Sequence, residues 1–256
     1  MRISSRNNPI ITEASKLLDK KYRDQSGLFL LHGKKLTDEA IFTGTRVRRI
    51  FAVPELEEYA RGASSASGAE LIVVEPHVFE KLTDQRAPEG VCAEAVMRDD
   101  AKEPEDGSFA VICDRIADPG NLGTVLRSAR AFSAGTVILS RGCADLYSPK
   151  VQRGAMGAGL SGSIIKDADT LNTVSALRRR GFRVYAAALH TDAVPLCRAD
   201  LSGSCAVVIG NEGQGLADDV ISACTGALLI EMEPQCESLN AAVAASVIMY
   251  KRYTGG

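Results

Sequence analysis

The chain has 256 residues, 45% apolar and 24% charged, with a formal net charge of −2: the composition of a globular protein of one large or two ordinary domains. No run of 18 apolar residues occurs, and the start, MRISSRNNPIITEASKLL, has no apolar signal core, so a membrane span and a secretory leader are not expected and cytoplasmic residence is. Seven scattered cysteines without a C-x-x-C pair, and three histidines (His32, His77, His190) without ligand spacing, argue against a disulfide framework and a metal centre.

In chain order, ITEASKLLDKKYRD carries apolar residues at helical spacing (Ile11, Ala14, Leu17, Leu18, Tyr22). GLFLLHG and RRIFAVP read as strands, with a helix KKLTDEAIFTG between them closing on Gly44. RGASSASGAE reads as a flexible loop, ELIVVEP as a strand and PHVFEKLTD as a short helix. RDDAKEPEDG has linker composition, which sets a first domain over 1–100, a linker over 101–107 and a second domain over 108–256. Beyond it strands (FAVICD, TVILS, RVYAAAL, CAVVIG, GALLIEM) alternate with helices (NLGTVLRSARAF, SPKVQRGAMGAG, TLNTVSALRRRG, ADDVISAC, SLNAAVAASVIMYKRY). That alternation predicts an α/β fold with a mostly parallel sheet covered on both faces. Cys113, Cys205 and Cys236 lie in or near apolar runs and read as small core residues.

Charge is unevenly spread. Residues 1–50 hold 11 Lys/Arg against 5 Asp/Glu, a net of +6, whereas residues 51–106 hold 5 against 14, a net of −9. A basic front section on a nearly neutral chain suits contact with phosphates, and equally a solvated helix face.

Three polar clusters, the first two glycine-bearing, fall where strands end, the places at which parallel sheets bind ligands: DRIADPGNLG, GNEGQG and MEPQCESLN. In the first, Asp118-Pro119-Gly120 has turn chemistry, Asn121 stands where a helix cap belongs, and Arg127 and Arg130 share a helix face. The apolar company of Leu122, Val125, Leu126 and Ala129 leaves little room for exposure at Arg127. In the third, Ser238 or Asn240 is the candidate cap of the last helix. The glycine loop carries Glu212, a carboxylate that opposes phosphate binding. Walker, zincin and G-x-S-x-G signatures are absent from the sequence and no G-x-G-x-x-G follows an expected strand, which disfavours nucleotide hydrolases, zinc enzymes and dinucleotide dehydrogenases.

The motifs DPGNLGTVLRSARAF, SPKVQRGAMGA, VIGNEGQGL and ESLNAAVAASVIMY, in this order, resemble the SpoU (TrmH-like) RNA 2′-O-ribose methyltransferases of the SPOUT superfamily over roughly 107–256. Residues 8–100 look like the RNA substrate-binding domain that precedes it in many members, a small α/β (L30e-like) unit. The resemblance implies a C-terminal trefoil knot, a homodimer, and S-adenosyl-L-methionine as cofactor, whose sulfonium a nearby carboxylate suits. It implies cofactor contacts from Gly210, Asn211, Glu212, Gly213, Gly215, Ile230, Met232, Ser238, Leu239 and Asn240. It implies a catalytic group of Asn121, Arg127, Glu212, Ser238 and Asn240, with Arg127 as proton acceptor or activator; because free arginine stays protonated to a pH above about 12, the preferred reading is that Arg127 positions the ribose hydroxyl and a neighbouring phosphate. One departure stands out: many members read Ile-Pro-Met-x-Gly where this chain has Ile230-Glu231-Met232-Glu233-Pro234, and proline removes both φ freedom and an N–H donor. The expected activity is methylation of a ribose 2′-hydroxyl in structured RNA, 23S ribosomal RNA ahead of transfer RNA. The competing readings are a base methyltransferase on the same scaffold and a non-catalytic RNA-binding relative.

Overall fold

The computed structural model describes residues 1–99, 101–233, 235–236 and 238–255. Met1–Asp99 with Asp145–Ser161 form one compact unit and the rest of the described residues a second.

In chain order the first unit runs β1 (Arg2–Ile3), α1 (Pro9–Lys16), α2 (Lys20–Ser26), β2 (Leu28–His32), α3 (Lys34–Phe42), β3 (Val47–Ala52), α4 (Glu57–Ser67), β4 (Glu70–Val74), α5 (Pro76–Phe79) and β5 (Val91–Val96). Its sheet order is β1-β4-β3-β5-β2, with β5 antiparallel to both neighbours and the remaining pairs parallel. The helical period expected over residues 11–22 is cut into two helices. Asp19 caps α2, its side chain accepting the Lys21 N–H at 2.9 Å, and a second cap ends α1. The run expected to be a flexible loop, RGASSASGAE, belongs largely to α4, which ends on Gly68 at φ +71°. Ala60 and Ala63 are buried there, and the Ser67 and Ser64 hydroxyls bond carbonyls at the helix end. Small residues here mean close packing, where composition alone reads as flexibility.

The second unit contributes β6 (Phe109–Cys113), α6 (Pro119–Ala131) and β7 (Thr136–Ser140). The chain then gives α7 (Pro149–Ala155) to the first unit before β8 (Ser163–Ala168), α8 (Thr170–Arg179), β9 (Arg183–Ala187), β10 (Val194–Pro195), β11 (Cys205–Ile209), α9 (Asp218–Ala223), β12 (Gly226–Leu229) and α10 (Ala241–Gly255). The seven strands lie in the order β10-β12-β9-β11-β6-β7-β8, every pair parallel, as the alternating pattern predicts. Every residue of β6, β7 and β11 is buried, the signature of a parallel sheet covered on both faces. Among the described residues no helix is long and apolar enough to cross a membrane. Cys113 and Cys205 sit in the core as expected, but Cys236 is exposed.

Candidate active site

The carboxyl ends of β6, β9, β11 and β12 open onto one region of the second unit. After β11 the chain turns at once. A Cβ on Gly210 would lie 2.7 Å from the Gly215 carbonyl carbon and 2.9 Å from its oxygen, so glycine is required where the loop closes on itself. Asn211 ties the loop together: its Oδ1 accepts the Gly213 and Gln214 N–H groups at 2.9 and 3.2 Å, and its Nδ2 donates to the Arg115 carbonyl at 2.9 Å. The Gly215 N–H donates to the Asn211 carbonyl at 2.8 Å, with Gly215 at φ +64°. Asn211 and the Gly213 amide are therefore engaged within the loop.

The three strand-end clusters meet through side-chain amides. Asn121 Nδ2 donates to Glu212 Oε1, and Asn121 Oδ1 accepts from Asn240 Nδ2 at 3.0 Å. Asn240 Oδ1 in turn accepts the Ala242 and Val243 N–H groups at 3.0 and 3.3 Å, so Asn240, not Ser238, caps α10. At α6 the cap is Asp118, whose Oδ1 accepts the Asn121 N–H at 2.8 Å, with Pro119 as first helical residue. The expected turn and cap at Asn121 thus shift by three residues. That shift sets the Asn121 side chain free to join Glu212 to Asn240.

Arg127 lies on the exposed side of α6 and makes no hydrogen bond or ion pair with the described residues, against the expectation that apolar neighbours would enclose it. Leu122, Gly123, Val125, Leu126 and Ala129 take the buried face, and Thr124, Arg127 and Arg130 the other. α6 packs on α10, where the Ser128 and Ser246 hydroxyls meet at 2.7 Å.

Beside this chain of amides lies an apolar cavity of about 140 Å³, lined by Ala187–Leu189 after β9, Leu228, Leu229, Ile230 and Met232 at and beyond the end of β12, and Ser238, Leu239 and Ala244. Of the expected cofactor residues it contains Ile230, Met232, Ser238 and Leu239. Its volume is below the roughly 300 Å³ of a drug-sized pocket. It has room for one ring system, with the rest of a larger ligand outside. Pro234 lies outside the described residues.

Two features escape a reading of the sequence. One is the wall Ala187–Leu189, which carries no polar signature. The other is Arg115, a non-glycine residue at φ +55°. Its N–H donates to Ser140 Oγ at 2.9 Å, its Nε to the buried Asp114 at 3.0 Å, and its guanidinium reaches Gln214 Oε1 and the Gly215 carbonyl at 3.3 and 3.4 Å. Arg115 thereby clamps the glycine loop to β6, and its unusual backbone is the only hint of this function-like constraint.

The SpoU rRNA Methylase family profile matches residues 108–250, more than half of the chain. The chain belongs to the SpoU rRNA methylase family. Residues 8–93 match the MRM3-like substrate binding domain. The SpoU relatives include the 23S rRNA (guanosine(2553)-2′-O)-methyltransferase RlmP of Bacillus subtilis, 28% identical over 97% of this chain and 98% of its own length. They include the 23S rRNA (uridine(2479)-2′-O)-methyltransferase of Streptomyces viridochromogenes, 29% identical over 98% of this chain and 91% of that protein. Among solved SpoU structures, the AdoMet-bound rRNA methyltransferase from Sinorhizobium meliloti superposes with a TM-score of 0.89 at 26% identity, covering 100% of this chain and 98% of that one. AviRb from Streptomyces viridochromogenes, in complex with the cofactor AdoMet, gives 0.88 at 28% identity, covering 97% and 98%.

Proposed function

We propose that this SpoU-family enzyme transfers the methyl group of S-adenosyl-L-methionine to a ribose 2′-hydroxyl of ribosomal RNA, in the 23S molecule, in the cytoplasm. The observation that carries the reading is the amide chain Glu212–Asn121–Asn240, which joins three strand-end motifs beside an apolar cavity. The residues fit the cofactor. Apolar walls and two adjacent alanines suit a flat purine ring, and Glu212 at the loop suits a positive sulfonium. Bound there, the cofactor supplies an electrophilic methyl group. Ile230, Met232, Ser238 and Leu239 would hold it, and Gly210, Asn211, Gly213 and Gly215 would shape the loop against it. Two relatives modify a guanosine and a uridine respectively, so the base is set by features other than the shared motifs.

Transfer to a hydroxyl needs the donor and acceptor in line and the proton removed. Arg127 does the positioning: its planar fork, exposed and unpaired among the described residues, grips the acceptor ribose and an adjacent phosphate. Guanidinium stays protonated, so the proton leaves to water or a phosphate oxygen. Asn121 fixes the start of α6, the helix that carries Arg127 six residues further on, and Asn240 carries that order to α10.

A homodimer and the trefoil knot belong to the same proposal. Val243, Val247 and Tyr250 leave an apolar stripe along α10, 46%, 38% and 56% exposed, with Tyr253 beside Phe132 extending it. An exposed apolar stripe at positions i, i+4 and i+7, opposite the face that buries Ala241, Ala245, Ile248 and Met249, suits a second copy of the chain.

The test is transfer of label from S-adenosyl-L-methionine into total RNA from cells lacking the gene, with the RNA then separated by size. Label in 23S rRNA is expected. Label in the transfer RNA fraction would replace the substrate, and RNA binding without label would leave a binding relative.

A further inference from the structure

β3 of the first unit contains an irregularity with a consequence for ligand binding. Val47 faces Ala95 on β5 and Arg49 faces Glu94, so two residues of β3 span one step of β5 and Arg48 is the extra one. In a regular strand Arg48 and Arg49 point to opposite faces. The bulge turns both to the same carboxylate: Arg49 Nη1 lies 3.4 and 3.5 Å from the two oxygens of Glu94, and Arg48 Nε lies 3.9 Å away. Glu94 is almost wholly buried, its side chain 2% exposed, and it holds the two guanidiniums together at the floor of a cavity of about 450 Å³. The walls come from α1 and α2: Glu13, Lys16, Tyr22, Gln25 and Ser26. Tyr22 is partly exposed, and the ammonium groups of Lys16 and Lys21 lie 5.6 and 5.9 Å from its ring centre.

We propose that this cavity seats one unpaired nucleotide of the RNA substrate, its base against the Tyr22 ring and its phosphate between Lys16 and Arg48. The inference rests on the RNA methyltransferase reading above and names a contact of its substrate-binding unit. The volume falls within the range of about 300–1,000 Å³ that holds a small ligand. A duplex is too wide to enter it, whereas a splayed base stacks on an aromatic ring with cations following the backbone. The cavity lies in the part of the chain with the excess of lysine and arginine. Glu94 keeps the arginines aimed and offsets one of their charges, so that a ring and a phosphate together, not a lone anion, satisfy the site.

The experiment uses the full-length protein and fluorescein-labelled RNA: an eight-nucleotide mixed-sequence single strand and a duplex with the same number of phosphates. Tyr22→Ala and Arg48→Ala change residues with exposed side chains, and far-ultraviolet circular dichroism and a urea transition of the full-length protein unchanged from the parent show that each variant, first unit included, is folded. Each is expected to bind the single strand about tenfold more weakly, Tyr22→Ala through one lost base stack and Arg48→Ala through one lost phosphate contact, while Tyr22→Trp retains binding within about twofold. The duplex is expected to respond weakly to Tyr22→Ala. Single-strand affinity within about twofold of the parent in both alanine variants would overturn the proposal, as would an equal loss for duplex and single strand. If the parent methylates rRNA while the alanine variants bind normally, this cavity is wrong and the methyltransferase reading stands. If binding depends on Tyr22 but no RNA is methylated, the reverse holds.

Discussion

Asn121 is the residue on which the site turns, because its amide is both donor and acceptor: it gives a proton to Glu212 and takes one from Asn240. Asn121→Asp keeps the shape and replaces the donor with a charge facing a carboxylate. Hydrogen bonds to charged groups contribute roughly 1.5–3 kcal/mol, so kcat/KM is expected to fall about 10- to 100-fold. Glu212→Gln in the same chain should recover part of that loss by restoring a donor. Steady-state methyl transfer by the single and double variants checks both. Arg127→Lys keeps the charge and loses the fork, so it is expected to lower kcat/KM at least tenfold with unchanged affinity for S-adenosyl-L-methionine by calorimetry. Wild-type activity in that variant would remove the positioning role. These residue types were legible as candidates from the sequence. Their wiring was not, because a cap at Asp118 or at Asn121 satisfies the same local chemistry, and only the packed helix decides which side chain is released. Arg115 stands in the first polar cluster but could not be singled out there, since its role lies in a backbone angle and in partners 99 and 100 residues away.

At the scale of elements, the strands that escaped the sequence were those with weak strand chemistry. β5 reads VCAEAV, where alanine and glutamate disfavour strands, yet it is central and buried. β1, β8 and β10 lie at sheet edges, and two of them are two residues long. The buried runs of β6, β7 and β11 were plain, since an unbroken apolar stretch between glycine- and proline-bearing turns has few other uses. α7 is anchored to the first unit by a fork in which Arg153 Nη1 and Nη2 donate to Asp84 Oδ1 and Oδ2 at 2.8 and 3.0 Å. The guanidinium holds the Asp84 carboxyl below its ordinary value of 3.8, against the opposing effect of partial burial. A lowered folded value means that the fork stabilises fully above about pH 4 and loses that contribution as pH falls through the folded value. Arg153→Gln is therefore expected to lower the urea midpoint at pH 7, and the gap from the parent should close on acidification below pH 4. A constant gap across that range would assign the loss to packing.

For the molecule as a whole, a mostly parallel sheet was foreseeable from alternation; the structure makes it seven strands, all parallel, with the proposed site at the carboxyl edge. Less legible was the return of 145–161 to the first unit, since a segment of ordinary helical composition says nothing about which core receives it. The stripe on α10 was hidden in a run that is apolar all round, because sequence cannot tell a helix buried on every side from one kept for a second copy. Val247→Glu places a charge in that stripe and is expected to convert a dimer into monomers by sedimentation, with loss of methyl transfer if the sites need both copies. A monomeric parent would remove the dimer from the account.

The central claim is the atom methylated. RNA labelled from S-adenosyl-L-methionine by the purified protein is digested with alkali, which cleaves only next to a free 2′-hydroxyl. The account requires the label to remain in an uncut dinucleotide. Label released in mononucleotides would mean that a base is the acceptor, and the roles given to Asn121, Arg127 and Asn240 would not stand.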